Sequence, residues 1–204
     1  MIGIVDYGVG NIQAFMTLFK QQGIAACRVT SPSALIDATH LVLPGVGHFD
    51  HAMQSFNASG MRATVEDLVL RQRVPVLGVC VGMQMLSEGS DEGTEPGLGW
   101  VPGRVRAFTT HAQAVGLPMP HMGWNTLQPV AGTKLFAGLE DSPQYYFLHS
   151  FYFDARDKAD VAATAHYGFD FDAVVSRGHI HGVQCHPEKS HHWGAGLLKN
   201  FASL

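Results

Sequence analysis

Cysteine is scarce in this chain: three among 204 residues, at Cys27, Cys80 and Cys185, an odd number without a CxxC pair. That excludes a disulfide framework and points to reduced thiols, any one of which is free to react. Charge is scarce too. Asp, Glu, Lys and Arg make up 15% of the residues, 13 basic against 17 acidic for a net charge of −4, and no five like charges follow one another. No basic footprint for nucleic acid or an anionic membrane surface results. Long apolar runs are missing as well: the longest stretch without a charged side chain, 107–133, is broken by polar residues and by Pro118 and Pro120, and cannot span a bilayer. The opening Met1-Ile2-Gly3-Ile4-Val5-Asp6 lacks a basic n-region and a cleavage site, so no secretory signal is expected and the cytosol is the expected compartment. What is present is 46% apolar sequence with no repeat, linker or low-complexity tract, the composition of one globular domain expected over 1–204.

The first half alternates short β-branched runs with amphipathic segments of helical length, the pattern of a parallel sheet with crossover helices. Ile2 to Asp6, Ala25 to Val29, His40 to Leu43 and Val74 to Val79 read as strands, the last fully apolar and suited to a central position. Ile12, Phe15, Met16 and Phe19 fall at helical spacing before Gly23, and Met61, Val65, Leu68 and Val69 mark a second helix ending near Arg73. Ser31-Pro32 reads as the cap and first turn of a short helix. After about Gly93 the character changes: Val101 to Phe108, Tyr145 to Phe153, Val161 to His166, Ala173 to Ser176 and Ile180 to Gln184 read as antiparallel or mixed strands added to the same core, closed by a helix from Trp193 to Ala202. The expected class is α/β, one domain with a central, largely parallel or mixed sheet flanked by helices.

Gly78-Val79-Cys80-Val81-Gly82 follows the apolar run and precedes the helix-like Met83-Gln84-Met85-Leu86. A nucleophile between two glycines at a strand-to-helix turn is the pattern of a nucleophile elbow. Cys80 would stand at the sheet edge, its thiolate favoured by the positive end of the next helix, with the Val81 N–H aimed at an oxyanion. A core cysteine beside a Gly-rich turn is the plainer alternative. A thiol nucleophile needs a base, and the base an orienter. In Gln184-Cys185-His186-Pro187-Glu188, spacing on an extended backbone puts His186 and Glu188 on one side, although elsewhere such a pair is commonly a solvated surface contact. Pro44-Gly45-Val46-Gly47, ending the preceding strand, offers backbone donors for the same oxyanion, or is a plain turn.

The cysteine elbow, the Pro44 to Gly47 loop and His186-Pro187-Glu188 resemble the triad-type, class I glutamine amidotransferases, which hydrolyse the glutamine side-chain amide and pass ammonia to a synthase. Asp6-Tyr7-Gly8-Val9-Gly10-Asn11, Pro120-His121-Met122-Gly123-Trp124-Asn125, Phe147-Leu148-His149-Ser150 and Glu188-Lys189-Ser190 are similar to the glutaminase subunits of imidazole glycerol phosphate synthase. The resemblance implies a flavodoxin-like α/β fold and no cofactor. It implies Cys80 as nucleophile, His186 as base and acid, Glu188 as orienter, and oxyanion donors from Val81 and the Gly45, Val46, Gly47 loop. Substrate contacts are implied at Gly47, Gly82, Gln84, Glu92, His149, Ser150 and Phe151, with Glu92 for the α-amino group. Asn11, Trp124, Tyr146 and Lys189 match positions facing the family's TIM-barrel cyclase, so a heterodimer is implied that makes imidazole glycerol phosphate in histidine biosynthesis.

Two departures stand out: Cys185 replaces the usual Phe before the base, and Phe151 replaces a Tyr. Strand alternation turns Cys185 away from the nucleophile, as a small core residue. His48-Phe49-Asp50-His51-Ala52-Met53 and Leu197-Leu198-Lys199-Asn200-Phe201 resemble instead a paralogous branch feeding ammonia to an amino-sugar amidotransferase of surface-polysaccharide synthesis, which leaves the ammonia acceptor open. Twelve histidines, with His179/His181 and His191/His192 close together, raise a metal-binding reading, but no HExxH or CxxC pattern accompanies them and no metal is expected. A non-catalytic subunit keeping the same fold is the third alternative.

Overall fold

In the computed structural model, which describes residues 1–139 and 142–204, eleven strands form one mixed sheet. The first half follows the alternation expected of it. β1 (Ile2–Val5), β2 (Ala26–Val29), β3 (His40–Gly45) and β4 (Val76–Cys80) pair in parallel in the order β2-β1-β3-β4. Every residue of β1 and β4 is buried, which is why both read as unbroken apolar runs rather than alternating ones. Helix α1 (Ile12–Gln21) buries Phe15 and Phe19, and the Asn11 side chain caps it by accepting from the Ala14 N–H.

Helix α2 (Phe49–Ala58) is not foreseen by the sequence reading. Its buried Phe49, Ala52, Met53 and Phe56 do fall at helical spacing, but it is capped by the His48 ring, which accepts from the Asp50 N–H, instead of a Ser, Thr, Asp or Asn. The helix expected to end near Arg73 is shorter and wider, with α3 (Arg62–Glu66) passing into a π turn over Asp67–Arg71. Among the described residues no helix is long and apolar enough to cross a membrane.

The second half is antiparallel: β5 (Gly103–Ala107), β6 (His121–Pro129), β7 (Gln144–His149), β8 (Phe151–Ala155), β9 (Val161–Tyr167) and β10 (Phe169–Arg177). The run expected as one strand over Tyr145 to Phe153 is two, because the chain changes partner at Ser150: β7 pairs with β6, and β8 with β5. β6 is also unforeseen. The last strand, β11 (Ile180–Val183), returns to the parallel half and lies beside β4 in register Gly182 to Gly78 and Val183 to Val79. Helix α5 (His191–Phe201) then packs against α1.

Candidate active site

Three neighbouring parallel strands end together, and their ends carry the three pieces read separately from the sequence. Gly45 stands opposite Cys80 across β3 and β4, and Gln184 follows directly on the Val183 to Val79 pair. Carboxyl ends of adjacent parallel strands are where open α/β sheets bind ligands. Helix α4 (Val81–Gln84) starts at the next residue. Between strand and helix Cys80 sits at φ 54° and ψ −114°, a left-handed conformation costly for a residue with a Cβ. The flanking glycines are required by contact. A Cβ on Gly82 would come within 1.9 Å of the Leu43 carbonyl oxygen, and one on Gly45 within 2.3 Å of the Gly82 nitrogen. The chain crosses itself here with no room for side chains.

The elbow corrects one expectation. With only four residues, α4 supplies little aligned dipole, so the cysteine's environment is set by its neighbours rather than by a helix end. Gly45 and Gly82, assigned to the oxyanion and the substrate, pack against each other behind the nucleophile and do not line the cavity in front of it. That cavity, about 410 Å3, is walled by Val46, Gly47, Cys80, Val81, Gln84, Glu92, His149, Ser150, Phe151 and His186, together with Pro120, Leu148 and Lys189. Val81, first in its helix, leaves its N–H without an intrahelical acceptor, and Gly47 turns at φ 84°.

His186 and Glu188 meet, though not by strand alternation. Pro187 opens a 3-10 turn over Pro187–Lys189 that folds the glutamate back, and Glu188 Oε1 accepts from His186 Nδ1 at 2.8 Å with both side chains buried. Burial works against a charge on His186, but its interaction with Cys80 and its hydrogen bond to Glu188 outweigh that, and the negative charges of both raise the imidazole to about 10. Its Nδ1 proton is therefore held by the glutamate and its other nitrogen is left for the cysteine side. Cys185 is fully buried and is not among the residues lining the cavity, and burial pushes its thiol well up.

Four further residues brace this centre. Gln184, fully buried, donates from Nε2 to Cys80 Sγ at 3.8 Å and accepts at Oε1 from Gln84 Nε2 at 3.1 Å. It follows directly on the end of β11, two residues before His186. The Tyr7 hydroxyl donates to the Pro44 carbonyl, fixing the peptide that leads into Gly45, and a Cβ on Gly10 would meet the Pro44 ring at 2.8 Å. The 6–11 turn is thus built against the glycine loop. Ser190 is buried, accepts the Tyr146 N–H at 3.0 Å and donates to the His186 carbonyl at 2.6 Å, tying the base to β7. His121 stands behind His149, with His121 Nδ1 and His149 Nε2 2.9 Å apart.

Glu92 lines the cavity and is held in place by accepting the Phe49 N–H at 2.8 Å. The loop around it is clamped by Asp50, which accepts the Thr94 and Glu95 N–H groups; these hold its carboxyl below the usual carboxylate range. The His48 to Met53 segment is therefore the frame of the Glu92 loop, a structural duty that does not bear on what accepts the ammonia.

Of the four positions assigned to a partner face, three cluster. Trp124, 46% exposed, meets Tyr146 edge-on at 6.2 Å and stacks on His191 at 5.2 Å, while Lys189 Nζ lies 5.7 Å over the Tyr146 ring. Asn11 is spent on capping α1, whose helix contacts the Pro187–Lys189 turn. Among the described residues no three His, Cys, Asp or Glu side chains are arranged to hold a metal ion, and His179 and His181 bond to the Val69 carbonyl and to Ser176. They line a second cavity, about 490 Å3, at the other end of the sheet, with no cysteine among its lining residues.

The family model for class-I glutamine amidotransferases matches residues 4–203. The chain is 52% identical over its full length, and over the full length of the relative, to the imidazole glycerol phosphate synthase subunit HisH of Bdellovibrio bacteriovorus. It is 46% identical to that of Leptospira interrogans and 40% to a HisH of Pseudomonas aeruginosa, again covering both chains completely. Among solved structures, one described as a glutamine amidotransferase superposes with a TM-score of 0.77 at 21% identity, covering 100% of this chain and 99% of that one. PurLQS from Thermotoga maritima superposes at 0.74 with 15% identity, covering 99% and 97%; both likenesses speak to fold. The chain belongs to the class-I glutamine amidotransferases and, within that family, to the HisH subunits of imidazole glycerol phosphate synthase.

Proposed function

We propose that the chain hydrolyses L-glutamine at Cys80 and delivers the ammonia to a cyclase subunit that makes imidazole glycerol phosphate. The Cys80 sulfur attacks the side-chain amide carbon, and the tetrahedral oxyanion is held by backbone N–H groups of Val81 and of the Val46–Gly47 loop. His186, already carrying the proton, gives it to the leaving nitrogen as the C–N bond breaks. Ammonia departs and a thioester remains. Water attacks the thioester, losing a proton to His186, and collapse of the second oxyanion restores the sulfur and releases glutamate. Each oxyanion donor lowers the barrier by about 3 kcal/mol on the scale of related acyl transfers. Glu92 faces the α-amino group, and Phe151 offers its N–H to the α-carboxylate.

One observation carries this reading: three strand ends bring the cysteine, the His186–Glu188 pair and the glycine loop around one cavity sized for a small ligand. The names of the relatives favour the cyclase over the amino-sugar branch. Ammonia lost to water would be protonated, so the cluster of exposed Trp124 and Lys189 with half-buried Tyr146 is the face proposed to take the partner. Three cysteines outside any disulfide and a biosynthetic partner support the cytosol as the compartment. The test is covalent capture. Acivicin, an electrophilic glutamine analogue, should label Cys80 stoichiometrically and leave Cys27 and Cys185 free. Glutaminase turnover should be slow alone and rise when the cyclase binds its own substrate; label on another cysteine, or turnover indifferent to the partner, contradicts the proposal.

A further inference from the structure

Two histidines lie buried one behind the other at the back of the cavity, and their hydrogen bonds admit one arrangement of protons. The chain ends on an atom that can only accept: His149 Nδ1 lies 2.7 Å from the Phe151 carbonyl oxygen. His149 therefore donates from Nδ1, and its Nε2 carries the lone pair. That lone pair faces His121 Nδ1 at 2.9 Å, so His121 donates from Nδ1 in turn, and its own Nε2 accepts from the Asn125 side-chain amide at 3.2 Å. The other N–H of that amide donates to the His166 carbonyl at 2.8 Å, anchoring the chain on β9. A proton added to either ring would set two N–H groups head to head, and burial pushes the imidazoles down to about 4 for His121 and about 3 for His149. Phe147 and Tyr167 stack on His121, and Phe108 and Phe171 meet both rings.

The purchase of this chain is on the cavity wall. Phe108 N–H donates to the Ser150 carbonyl at 3.1 Å, which makes Ala107 and Phe151 a non-hydrogen-bonded pair of the antiparallel ladder. The Phe151 N–H and C=O thus both point away from β5, on the side where Phe151 lines the cavity. The C=O is occupied by His149, with the Gln84 amide at 3.4 Å, leaving the N–H as the free donor of that peptide edge. Released, the same carbonyl would present negative charge beside the carboxylate of a bound amino acid.

We propose that His121 is a positioning residue for substrate binding: acting through a neutral, Nδ1-protonated His149, it holds the 149–151 turn with its N–H toward the ligand's carboxylate. This rests on the glutamine reading above. It assigns work to the His121 of the Pro120 to Asn125 segment, whose Met122 and Trp124 face outward at 65% and 46% exposure on the same strand.

The test separates binding from chemistry on the intact chain. Saturation kinetics of Cys80 inactivation by acivicin give a binding constant and a limiting rate, and iodoacetamide, which lacks the α-carboxylate, reports the thiol alone. For His121→Phe the half-saturating acivicin concentration should rise about tenfold, the scale of one misplaced hydrogen bond to a charged group, with the limiting rate and the iodoacetamide rate within about twofold of wild type. His121→Gln, which donates to His149 while accepting from Asn125, should recover most of the loss. Half-saturation unchanged in a folded His121→Phe protein overturns the proposal, as does a fall in the iodoacetamide rate matching the loss with acivicin. Ring 15N spectra of the wild-type protein need no variant: both histidines should show Nδ1–H and a bare Nε2 from about pH 5 to 8, and an Nε2–H on His149 overturns it. Should wild-type Cys80 react with iodoacetamide and not with acivicin, the glutamine reading itself fails, and this proposal with it.

Discussion

His186 and His149 line the same cavity, are equally hidden from water, and lean to opposite charge states. Burial opposes charge on both; His186 is nevertheless raised to about 10, while His149 falls to about 3. What differs is the company each keeps. His186 donates to a carboxylate and interacts with the Cys80 side chain, whereas His149 donates to a peptide carbonyl and accepts from another imidazole. One residue type thus favours the cation on one wall and the neutral ring on the other, because anionic partners reward a charge that neutral ones leave desolvated.

The largest break in that comparison comes from removing the charged side. Cys80→Ala and His186→Ala should each lower glutaminase turnover by about 10^4-fold or more, measured as glutamate released in the presence of the cyclase. Glu188→Gln keeps a hydrogen-bonding group of the same shape but removes the anion. Turnover should fall less, by about 10^2-fold, and the His186 imidazole, followed by its ring-proton NMR signal, should titrate lower than in the wild-type protein, where Glu188 raises it. Equal losses for Glu188→Gln and His186→Ala would mean that the glutamate does more than orient and polarise. Ser190→Ala comes next. It strands the Tyr146 N–H and frees the His186 carbonyl, and about 1–3 kcal/mol of stability should go with it, read from urea unfolding, together with a lower turnover.

How far these roles were readable from the chain follows its two halves. In the parallel half β1, β3 and β4 are buried, mostly apolar runs and the candidate site residues sit at strand ends, so local pattern and site coincide: Cys80 between its glycines, and Gly47 after β3. In the antiparallel half the partners are distant in sequence. Nothing local distinguishes Ser150 as the point where the chain leaves β6 for β5, or pairs His121 with His149 across 28 residues. The spacing argument for His186 and Glu188 reached the right pair through the wrong backbone, since Pro187 replaces an extended step by a 3-10 turn. α2 was missed because its cap is a histidine, and with it went the link between Asp50 and the Glu92 loop. Tyr7 belongs to a recognisable motif, yet its bond to Pro44 appears only when β1 and β3 lie side by side.

The remaining effect is on the pH dependence of stability, and it has a sign for each histidine. His186 is raised from 6.5 to about 10, so its contribution is complete below pH 6.5 and is lost as the pH climbs through 10. His121, His149 and His181 are lowered, to about 4, 3 and 4, so theirs is complete above 6.5 and is lost as the pH falls through those values. Stability to urea should therefore crest near pH 6.5 and decline on both sides. The limbs are separable because His181, bonded to Ser176, lies by the second cavity at the far end of the sheet from Cys80. His181→Phe should flatten the acid limb by about 3 kcal/mol at full development and leave the alkaline limb and acivicin labelling as they are. Glu188→Gln should flatten the alkaline limb alone, and a variant that moved both limbs together would mean that the two kinds of histidine are coupled.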